Sequence, residues 1–251
     1  MLLMYIIKNR KSNFSRFCGD LNHILKKETQ LSSKLKHINS LKFFASLNDI
    51  QLSSVADISS VAKYSKGDIL YYENEKFDKV FFLLSGLLKV YIMDKYENEI
   101  FLYHIYKNSL ISELTTLEHN FIQCFSSAEF TEDSLVLEVD FTKFKTNFLS
   151  QNLLNNEFIS EILLKTEQLH GVVNRELVFD ASAKVAFMLA DDLKMFNKLQ
   201  RQEVSFMLNI QPETLSRVLK KLKRAEIIDM KDLNIIIKNE EALKSIYLGN
   251  A

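Results

Sequence analysis

The sequence predicts an α+β protein in which an antiparallel β domain is followed by helices. Short apolar runs separated by turn residues occupy the middle of the chain, and a long apolar seam with helical spacing follows them. A basic helix preceded by a tight turn lies near the end. Strands first and helices second, without alternation, are typical of the α+β class.

Composition excludes several classes of protein. Hydrophobic residues make up 47% and charged residues 25% of the 251 residues, as in ordinary globular proteins. No apolar run approaches the ~20 residues of a membrane span, and the basic residues follow the short apolar opening, the wrong order for a secretory signal. Cys18 and Cys124 are too few for a disulfide scaffold or an iron–sulfur cluster. We therefore expect a cytoplasmic protein with no membrane partner.

The zero net charge conceals an uneven distribution. Residues 1–42 carry nine Lys/Arg and two Asp/Glu, residues 43–179 carry eleven and twenty, and residues 180–251 carry twelve and ten. Charge segregation indicates polyanion binding better than the total charge does. Residues 1–40 are predicted to be a basic N-terminal extension, either solvated or serving as an arm that touches nucleic acid.

The predicted β domain spans residues 41–150. Ser85-Gly86 separates two apolar runs, Val80–Leu84 and Leu87–Ile92, which predicts a hairpin. Asp94–Asn98 is a predicted polar turn. The other β-prone runs are Ile69–Tyr72, Glu99–Tyr106, Phe125–Phe130 and Ser134–Val139. Strands this short, with regular turn signals, indicate an antiparallel sandwich or roll.

Residues 151–179 have helical spacing instead. Apolar or weakly polar residues recur at intervals of four and three, at Ile159, Leu163, Thr166, His170, Val173 and Leu177. One side of such a long central helix can pack on the β domain while the other side meets a second copy. A dimerisation helix and an ordinary core helix are both open at this point.

Residues 180–251 predict a winged helix-turn-helix. Asp180 is a candidate N-cap for its first helix. A short helix from Arg201 ends at Asn209, which tolerates the left-handed conformation of a tight turn, and Pro212, the sole proline, begins a new helix. Ile227–Ile237 predicts a two-stranded wing. This order of elements is typical of the motif.

The helix that begins at Pro212 is the predicted DNA-reading element. Its charged residues are Glu213, Arg217, Lys220, Lys221, Lys223 and Arg224. An Arg at its N-terminal end can donate two hydrogen bonds to guanine, and a Glu can accept one from cytosine N4. Glu213 and Arg217 lie four residues apart, so they share a face and can also hold each other in place. The alternative is a solvated basic helix without a ligand.

The run Ile210–Leu222 resembles the recognition-helix motif of the CRP/FNR superfamily of bacterial transcription regulators. Upstream, Lys66–Tyr71 and Phe81–Tyr91 resemble its cyclic-nucleotide-binding-type β-roll, so the resemblance covers Leu41–Leu248 in the family order. It implies a homodimer, joined through the central helix, that reads a near-palindromic TTGA-like site in double-stranded DNA and meets RNA polymerase. The recognition helix is most similar to the FNR and Dnr branches, and members of the Dnr branch respond to nitrogen oxides through haem.

The resemblance also implies roles for single residues. Glu213, Ser216 and Arg217 would contact bases. Contacts to phosphates are expected from Gln211, Thr214, Lys220 and Lys221.

The candidate effector pocket departs from the family pattern, and it consists of Glu113, Ile122, Gln123 and Cys124. Ser112 replaces the glycine of the phosphate loop, and no Lys or Arg occurs from Asn108 to Asp140. A buried cyclic phosphate without a cation would cost several kcal/mol, so cyclic AMP is not expected to bind. Glu113 keeps its family position, either for a ribose-type contact or as a structural residue.

Haem is the one cofactor that the sequence leaves possible. The candidate iron ligands are His104, His119 and His170, whose spacing matches no known motif. Cys124 is either a redox or nitrosation point or a buried inert thiol. Neither a Gly-rich phosphate loop nor a Ser-His-Asp set nor metal-ligand spacing occurs, so we expect no metal site and no enzyme. Two alternatives to an effector-gated regulator are a constitutively DNA-competent regulator with a vestigial pocket and a β-roll module that docks proteins.

Overall fold

A computed structural model describes residues 31–113, 116–231 and 234–248. Most of the predicted basic extension lies outside these residues; its last ten, 31–40, form helix α1. A 3₁₀ turn at Lys42–Phe44 and helix α2 at Asp49–Asp57 follow. The Asn48 side chain accepts the Gln51 N–H at 3.0 Å and the Gln51 side chain accepts the Asn48 N–H at 2.9 Å, a capping box that explains where α2 begins.

The β domain contains ten strands within the described residues. They are β1 Ser59–Tyr64, β2 Ile69–Tyr71, β3 Lys76–Phe77, β4 Lys79–Ser85, β5 Leu87–Met93, β6 Glu99–Tyr106, β7 Ser109–Leu110, β8 Ile122–Gln123, β9 Ser127–Phe130 and β10 Ser134–Asp140. Two four-stranded sheets have the orders β1-β10-β4-β7 and β2-β9-β5-β6, and every pair is antiparallel. A short ladder joins β3 to β8.

Strand β4 is buried on both faces, which explains its unbroken apolar run. On one face Phe81 and Leu83 pack toward Leu88 and Val90 of the opposite sheet. On the other face Phe82 packs with aromatic residues of the flanking helical segments, at 5.0 Å from the ring of Phe43 and 5.1 Å from that of Phe44. The first sheet therefore lies between the second sheet and the helices.

The predicted hairpin between β4 and β5 is wrong. Strand β4 pairs with β10 and β7, β5 pairs with β9 and β6, and none of the ladders in the described residues joins β4 to β5. The chain changes sheets at Gly86, whose φ is +98°. The Ser-Gly pair does mark a sharp turn. Because Gly86 has no side chain, Ser134 of β10 can approach the backbone there closely.

Strands β5 and β6 form the hairpin of this domain, around the predicted polar turn Asp94–Asn98. The Asp94 carboxylate closes the turn, since its Oδ1 accepts the N–H groups of Tyr96 at 2.7 Å and Asn98 at 2.9 Å. The register runs from Leu87 opposite Tyr106 to Met93 opposite Glu99, with one irregularity in the middle. Because β6 ends the sheet, its outer edge is free to accept hydrogen bonds from elsewhere in the chain.

The central helix predicted from the apolar seam is α4, Asn155–Val173. It follows α3, Phe141–Phe144, and a π-helical turn at Lys145–Leu149, and it continues into a second π-helical turn at Asn174–Val178. None of the 19 residues of α4 is buried. An ordinary core helix is therefore the wrong interpretation for α4 in the single chain.

The C-terminal elements are α5 Ala181–Asp191, α6 Leu193–Lys198, α7 Arg201–Met207, α8 Pro212–Arg224, β11 Ile228–Lys231, β12 Asn234–Ile237 and α9 Glu240–Leu248. Asp180 caps α5 as predicted, accepting the Ala183 N–H at 2.8 Å. Helix α9 was not expected; its Tyr247 ring lies 5.4 Å from that of Phe187 on α5. Among the described helices, none combines the length and the apolarity that a membrane crossing requires.

Gly86→Ala tests the change of sheet. The added Cβ would overlap Ser134 Oγ and would lie 2.9 Å from the Asp133 carbonyl oxygen. We expect the free energy of unfolding to fall by about 3 kcal/mol, from left-handed strain and overpacking together. Gly67→Ala is the matched control, because Gly67 has φ +91° and nothing within 4 Å of the added Cβ. Gly67→Ala should lower the free energy of unfolding only by the left-handed strain, about 1–2 kcal/mol. Urea unfolding measures both variants, and equal losses would show that Ser134 does not crowd Gly86.

Candidate nucleic-acid interface

The turn between α7 and α8 has the predicted conformation. Asn209 adopts φ +49°, and the Ile210 N–H donates to the Ser205 carbonyl at 3.0 Å. Gln211 is extended, with φ −69° and ψ 144°, and Pro212 occupies the first helical turn, where a missing N–H costs nothing. These local preferences fix where α8 begins and which of its residues stand at the exposed tip.

Helix α8 has one apolar face and one charged face. Its four buried residues recur at intervals of three and four, at Leu215, Val218, Leu219 and Leu222. They pack in one core cluster with α5, α7 and the wing strands, for example against Val185, Val204 and Ile228. Burial of these four side chains holds the helix on the domain and turns every remaining face outward.

The predicted DNA-contacting residues lie on the outward faces. Thr214 is half-buried, and the exposed ones are Gln211, Glu213, Ser216, Arg217, Lys220 and Lys221. Glu213, Arg217 and Lys220 succeed one another at intervals of four and three, so they form a single row along the helix. The structure therefore places an acid, a guanidinium and an ammonium in line from the tip of α8.

The predicted contact between Glu213 and Arg217 is not formed. Among the ion pairs of the described residues, none includes either side chain. An exposed ion pair at this spacing would add little to the free energy of folding, so both side chains stay available to a ligand. Farther along α8, Lys223 approaches Asp229 of the wing at 3.4 Å, and this pair ties the helix end to β11.

The candidate effector residues of the β domain are placed differently from one another. Glu113 accepts the Phe125 N–H at 2.7 Å through one oxygen and the Ser126 hydroxyl through the other, so its carboxylate is engaged by the domain itself. Ile122 packs in the core cluster beneath the helices, whereas Cys124 packs between the sheets. Gln123 is half-buried on β8. Glu113 lies close enough to Cys124 to raise the pKa of its thiol, whereas Ile122 packs in the other cluster.

Cys124 is buried, and burial raises the pKa of its thiol to about 12, with Glu113 and Glu75 adding to the rise. A thiol that stays protonated is a poor nucleophile. These surroundings favour the inert thiol over the redox or nitrosation point.

Lys165 supplies a cation that the sequence pattern did not predict for this region. It comes from α4, and its Nζ donates to the Ile111 carbonyl at 3.2 Å. Lys165 as a residue is only partly buried, but desolvation of its ammonium group lowers the pKa of Lys165, while the charges of Glu113 and Glu161 oppose that shift. The segment from Asn108 to Asp140 contains no Lys or Arg, but a lysine from the helix reaches it in space.

The three candidate histidine ligands lie in different parts of the chain. His104, half-buried on β6, has its ring 4.9 Å from that of Phe101, and His119 is exposed and stacks on Phe121 at 4.9 Å. His170 is exposed on α4. In the described ranges no three His, Cys, Asp or Glu residues are grouped so that they could hold a metal ion.

His104 borders a cleft of about 570 Å³ between the β domain and the C-terminal domain. Its walls come from β6, α4, the π-helical turn after α4, α5, α6 and α7, and they include Tyr103, Leu164, Arg175, Met188 and Met207. The volume lies in the ~300–1,000 Å³ range of small-molecule pockets, and apolar walls with a few polar groups are usual for them.

The burial of His104 makes stability depend on pH. Burial lowers the pKa of His104 from 6.5 to about 4. The unfolded chain then takes up the proton first as pH falls, so stability declines from about pH 6.5 downward, by about 2 kcal/mol at pH 5 relative to pH 7. Urea unfolding at the two pH values measures this. His104→Phe should lose most of the decline and the exposed His119→Asn none of it; an unchanged decline in His104→Phe would refute the assignment.

Two family models match the chain. The cyclic nucleotide-binding domain matches residues 61–151, and the Crp-like helix-turn-helix domain matches residues 185–246. The first coincides with the two-sheet domain and the second with the elements from α5 to α9. Among curated proteins, no sequence matches this chain significantly.

Solved structures share the fold at low sequence identity. FixK2 from Bradyrhizobium japonicum is 17% identical, with 75% of this chain and 97% of that chain covered and a TM-score of 0.59. A mutant of CooA from Carboxydothermus hydrogenoformans is 20% identical, covering 76% and 88% at a TM-score of 0.58. A protein from Eubacterium rectale assigned to the crp/fnr family of transcriptional regulators is 15% identical, covering 84% and 99% at a TM-score of 0.59.

The likeness to solved structures establishes the fold. The two domain models identify its two domains in their order along the chain. A cyclic nucleotide-binding-like domain, a long helix and a Crp-like helix-turn-helix with an exposed basic face occur together here. The chain therefore combines a cyclic nucleotide-binding domain and a Crp-like helix-turn-helix domain, on a fold that it shares with these solved structures.

Proposed function

We propose that this protein is a cytoplasmic, homodimeric transcription regulator that binds a near-palindromic, TTGA-like site in double-stranded DNA. The observation that carries the proposal is the two-faced helix α8, which buries four apolar residues and leaves Glu213, Ser216 and Arg217 exposed at its tip. A helix held in this way can enter the major groove with its N-terminal residues toward the base edges.

The chemistry of the tip fits the G·C pair of a TTGA half-site. Arg217 can donate two hydrogen bonds to guanine O6 and N7, and Glu213 can accept one from the N4 amino group of the paired cytosine. Ser216 lies on the same exposed side, where its hydroxyl can donate or accept. Lys220 and Lys221 stand farther from the tip and are suited to phosphates, with Gln211 and Thr214 at the helix start.

Helix α4 supports the homodimer. Five large apolar side chains are exposed along one side of the helix: Ile159, Ile162, Leu163, Leu169 and Val173. An apolar surface of this extent on one helix marks an interaction site. A second copy of the chain is the simplest partner for this apolar surface, because in a twofold dimer the same surface of each chain packs against its counterpart. The pair then carries two α8 helices to half-sites about one helical turn, or ~34 Å, apart.

For the effector, we propose a ligand other than cyclic AMP. The groups that such a nucleotide would need are engaged internally, since Glu113 is bonded to Phe125 and Ser126, and Lys165 is bonded to the Ile111 carbonyl. The cleft beside His104 offers room for a small molecule, and of the three candidate haem ligands His104 alone borders it. The internally satisfied contacts equally support the second candidate, a regulator that binds DNA constitutively.

Arg217→Ala tests the base contact. We expect it to weaken binding by about 1–3 kcal/mol and to relax the preference at one base pair. Lys220→Ala is the control; it should weaken binding to all sequences alike and lower the salt slope by about one. Titration of wild-type and base-substituted duplexes at two salt concentrations measures both. If Arg217→Ala loses affinity equally on every sequence, Arg217 contacts a phosphate instead.

Leu163→Glu tests the dimer. Leu163 is 63% exposed in the single chain, so the substitution should leave the monomer folded. A buried, unpaired carboxylate would weaken the pairing of two α4 helices by about 100-fold. Ile50→Glu is the control, at an apolar residue 79% exposed on α2. Sedimentation equilibrium should show dissociation for Leu163→Glu alone; a wild-type chain that is monomeric throughout would exclude the dimer.

A further inference from the structure

Arg175 connects the end of the central helix to the β domain. It is buried in the π-helical turn Asn174–Val178, and its guanidinium donates to the carbonyl oxygens of Phe101 at 2.6 Å and Leu102 at 3.1 Å. The guanidinium also lies over the Phe101 ring, 5.3 Å from its centre. Its Nε donates to Glu176 at 2.8 Å, so the group is bonded on three sides.

An irregularity in β6 makes the double contact possible. Val90 pairs with Tyr103 and Tyr91 pairs with Phe101, so Leu102 is an extra residue in the ladder. Successive carbonyls of a regular strand point in opposite directions, but such a bulge turns two neighbours toward the same side. The free edge of β6 thus offers two adjacent acceptors, which suit the planar fork of an arginine and not a lysine.

The contact continues into the DNA-binding domain. The second carboxylate oxygen of Glu176 lies 3.6 Å from Nζ of Lys184 on α5. The Lys184 Nζ in turn donates to the Leu208 carbonyl at 3.1 Å, and Lys184 is buried. Leu208 directly precedes Asn209, the residue that makes the tight turn before α8. A chain of charged groups therefore runs from the edge of β6 to the turn of the helix-turn-helix.

Each member of this chain needs its neighbours. Arg175 and Lys184 are buried cations, and Glu176 is the anion that contacts both of them. A buried charge that loses its partner is strongly unfavourable, so the group has one preferred geometry. The apolar residues of the same turn are not buried, since Leu177 is 81% and Val178 68% exposed. Polar contacts rather than apolar packing therefore hold this turn. Tyr106 with Asp192 and Lys198 with Glu132 are further polar contacts between the same two domains.

We propose that Arg175, Glu176 and Lys184 form a latch that fixes the orientation of the helix-turn-helix against β6 and thereby sets the spacing of half-sites that the dimer accepts. The latch residues are positioning residues, which act on DNA only through the placement of α8. The inference rests on the proposed function, because a spacing preference requires two recognition helices on one DNA.

The test is a series of palindromic duplexes whose centre is shortened or lengthened by one to three base pairs. Each added pair displaces the second half-site by about 3.4 Å and about 34° around the DNA axis. Wild type should prefer one spacing by about tenfold, within the ~5–150-fold range usual for coupled sites. Arg175→Lys, which keeps the charge without the fork, and Lys184→Met should bind all spacings within about threefold of one another.

Lys194→Met is the matched control, because Lys194 is exposed on neighbouring α6 and lies outside the latch. It should keep the wild-type spacing profile. Binding to a duplex with a single half-site should be the same in all four proteins, since the recognition helix is not altered. A residue with a merely structural role would lower single-site binding and would leave the spacing profile unchanged.

A measurement without DNA separates failure of the latch from failure of the proposed function. Chymotrypsin should cut the junction at Leu177 and Phe179 faster in Arg175→Lys and Lys184→Met than in wild type and Lys194→Met, at a temperature at which all four proteins are folded. Faster cutting supports the latch even if no palindrome is bound, an outcome that would overturn the proposed function alone. Unchanged cutting, an unchanged spacing profile, or loss of single-site binding in the two variants would overturn the latch.

Discussion

Helix α4 has an apolar face that its own chain leaves uncovered, and covering that face would set the arrangement of two DNA-binding domains. The β domain and the helix-turn-helix each have a closed core, of which Leu88 and Leu219 are members. The helix between them has none of its residues buried. Exposed apolar surface costs about 25 cal/mol per Å² that could be removed from water, so a long apolar face favours association. Pairing of α4 with its own copy would fix the distance between two DNA-binding domains.

Polar contacts complement this pairing at the other end of the helix. The chain leaves α4 through a π-helical turn whose Leu177 is exposed, so apolar packing does not fix the direction in which the C-terminal domain extends. Two sets of hydrogen bonds fix that direction instead. Arg175 donates to the carbonyls at the bulged edge of β6, and Lys184 donates to the Leu208 carbonyl. In this view apolar burial would bring two chains together, and directional polar contacts would determine where the two α8 helices lie.

Local signals predicted the elements that local chemistry controls. Asp180 caps α5, Asn209 makes the left-handed turn, and Pro212 begins α8, as their side chains and backbone preferences require. The Ser85-Gly86 turn was recognised, but its partner strands were not, because a positive φ determines the bend and not which strand pairs with which. Choice of sheet is decided by burial on both faces of β4, which is a property of the assembled domain.

The contacts between distant segments could not be predicted from the sequence. Lys165 meets the Ile111 carbonyl across 54 residues, and Arg175 meets β6 across more than seventy. No spacing rule links such positions. Ile122 and Cys124, two residues apart, would share a face in a regular strand, but β8 ends at Gln123 and they pack in different clusters. The exposed face of α8 was predictable because a single helix period governs it.

Hydroxyl-radical footprinting on a selected palindrome reports in one experiment whether two chains pair and where each recognition helix lies in the groove. Two recognition helices carried by a twofold pair predict two equal protected patches on one face of the DNA, centred about ten base pairs apart. A single protected patch, or two patches of unequal strength that fill one after the other as protein is added, would contradict a dimer assembled through α4.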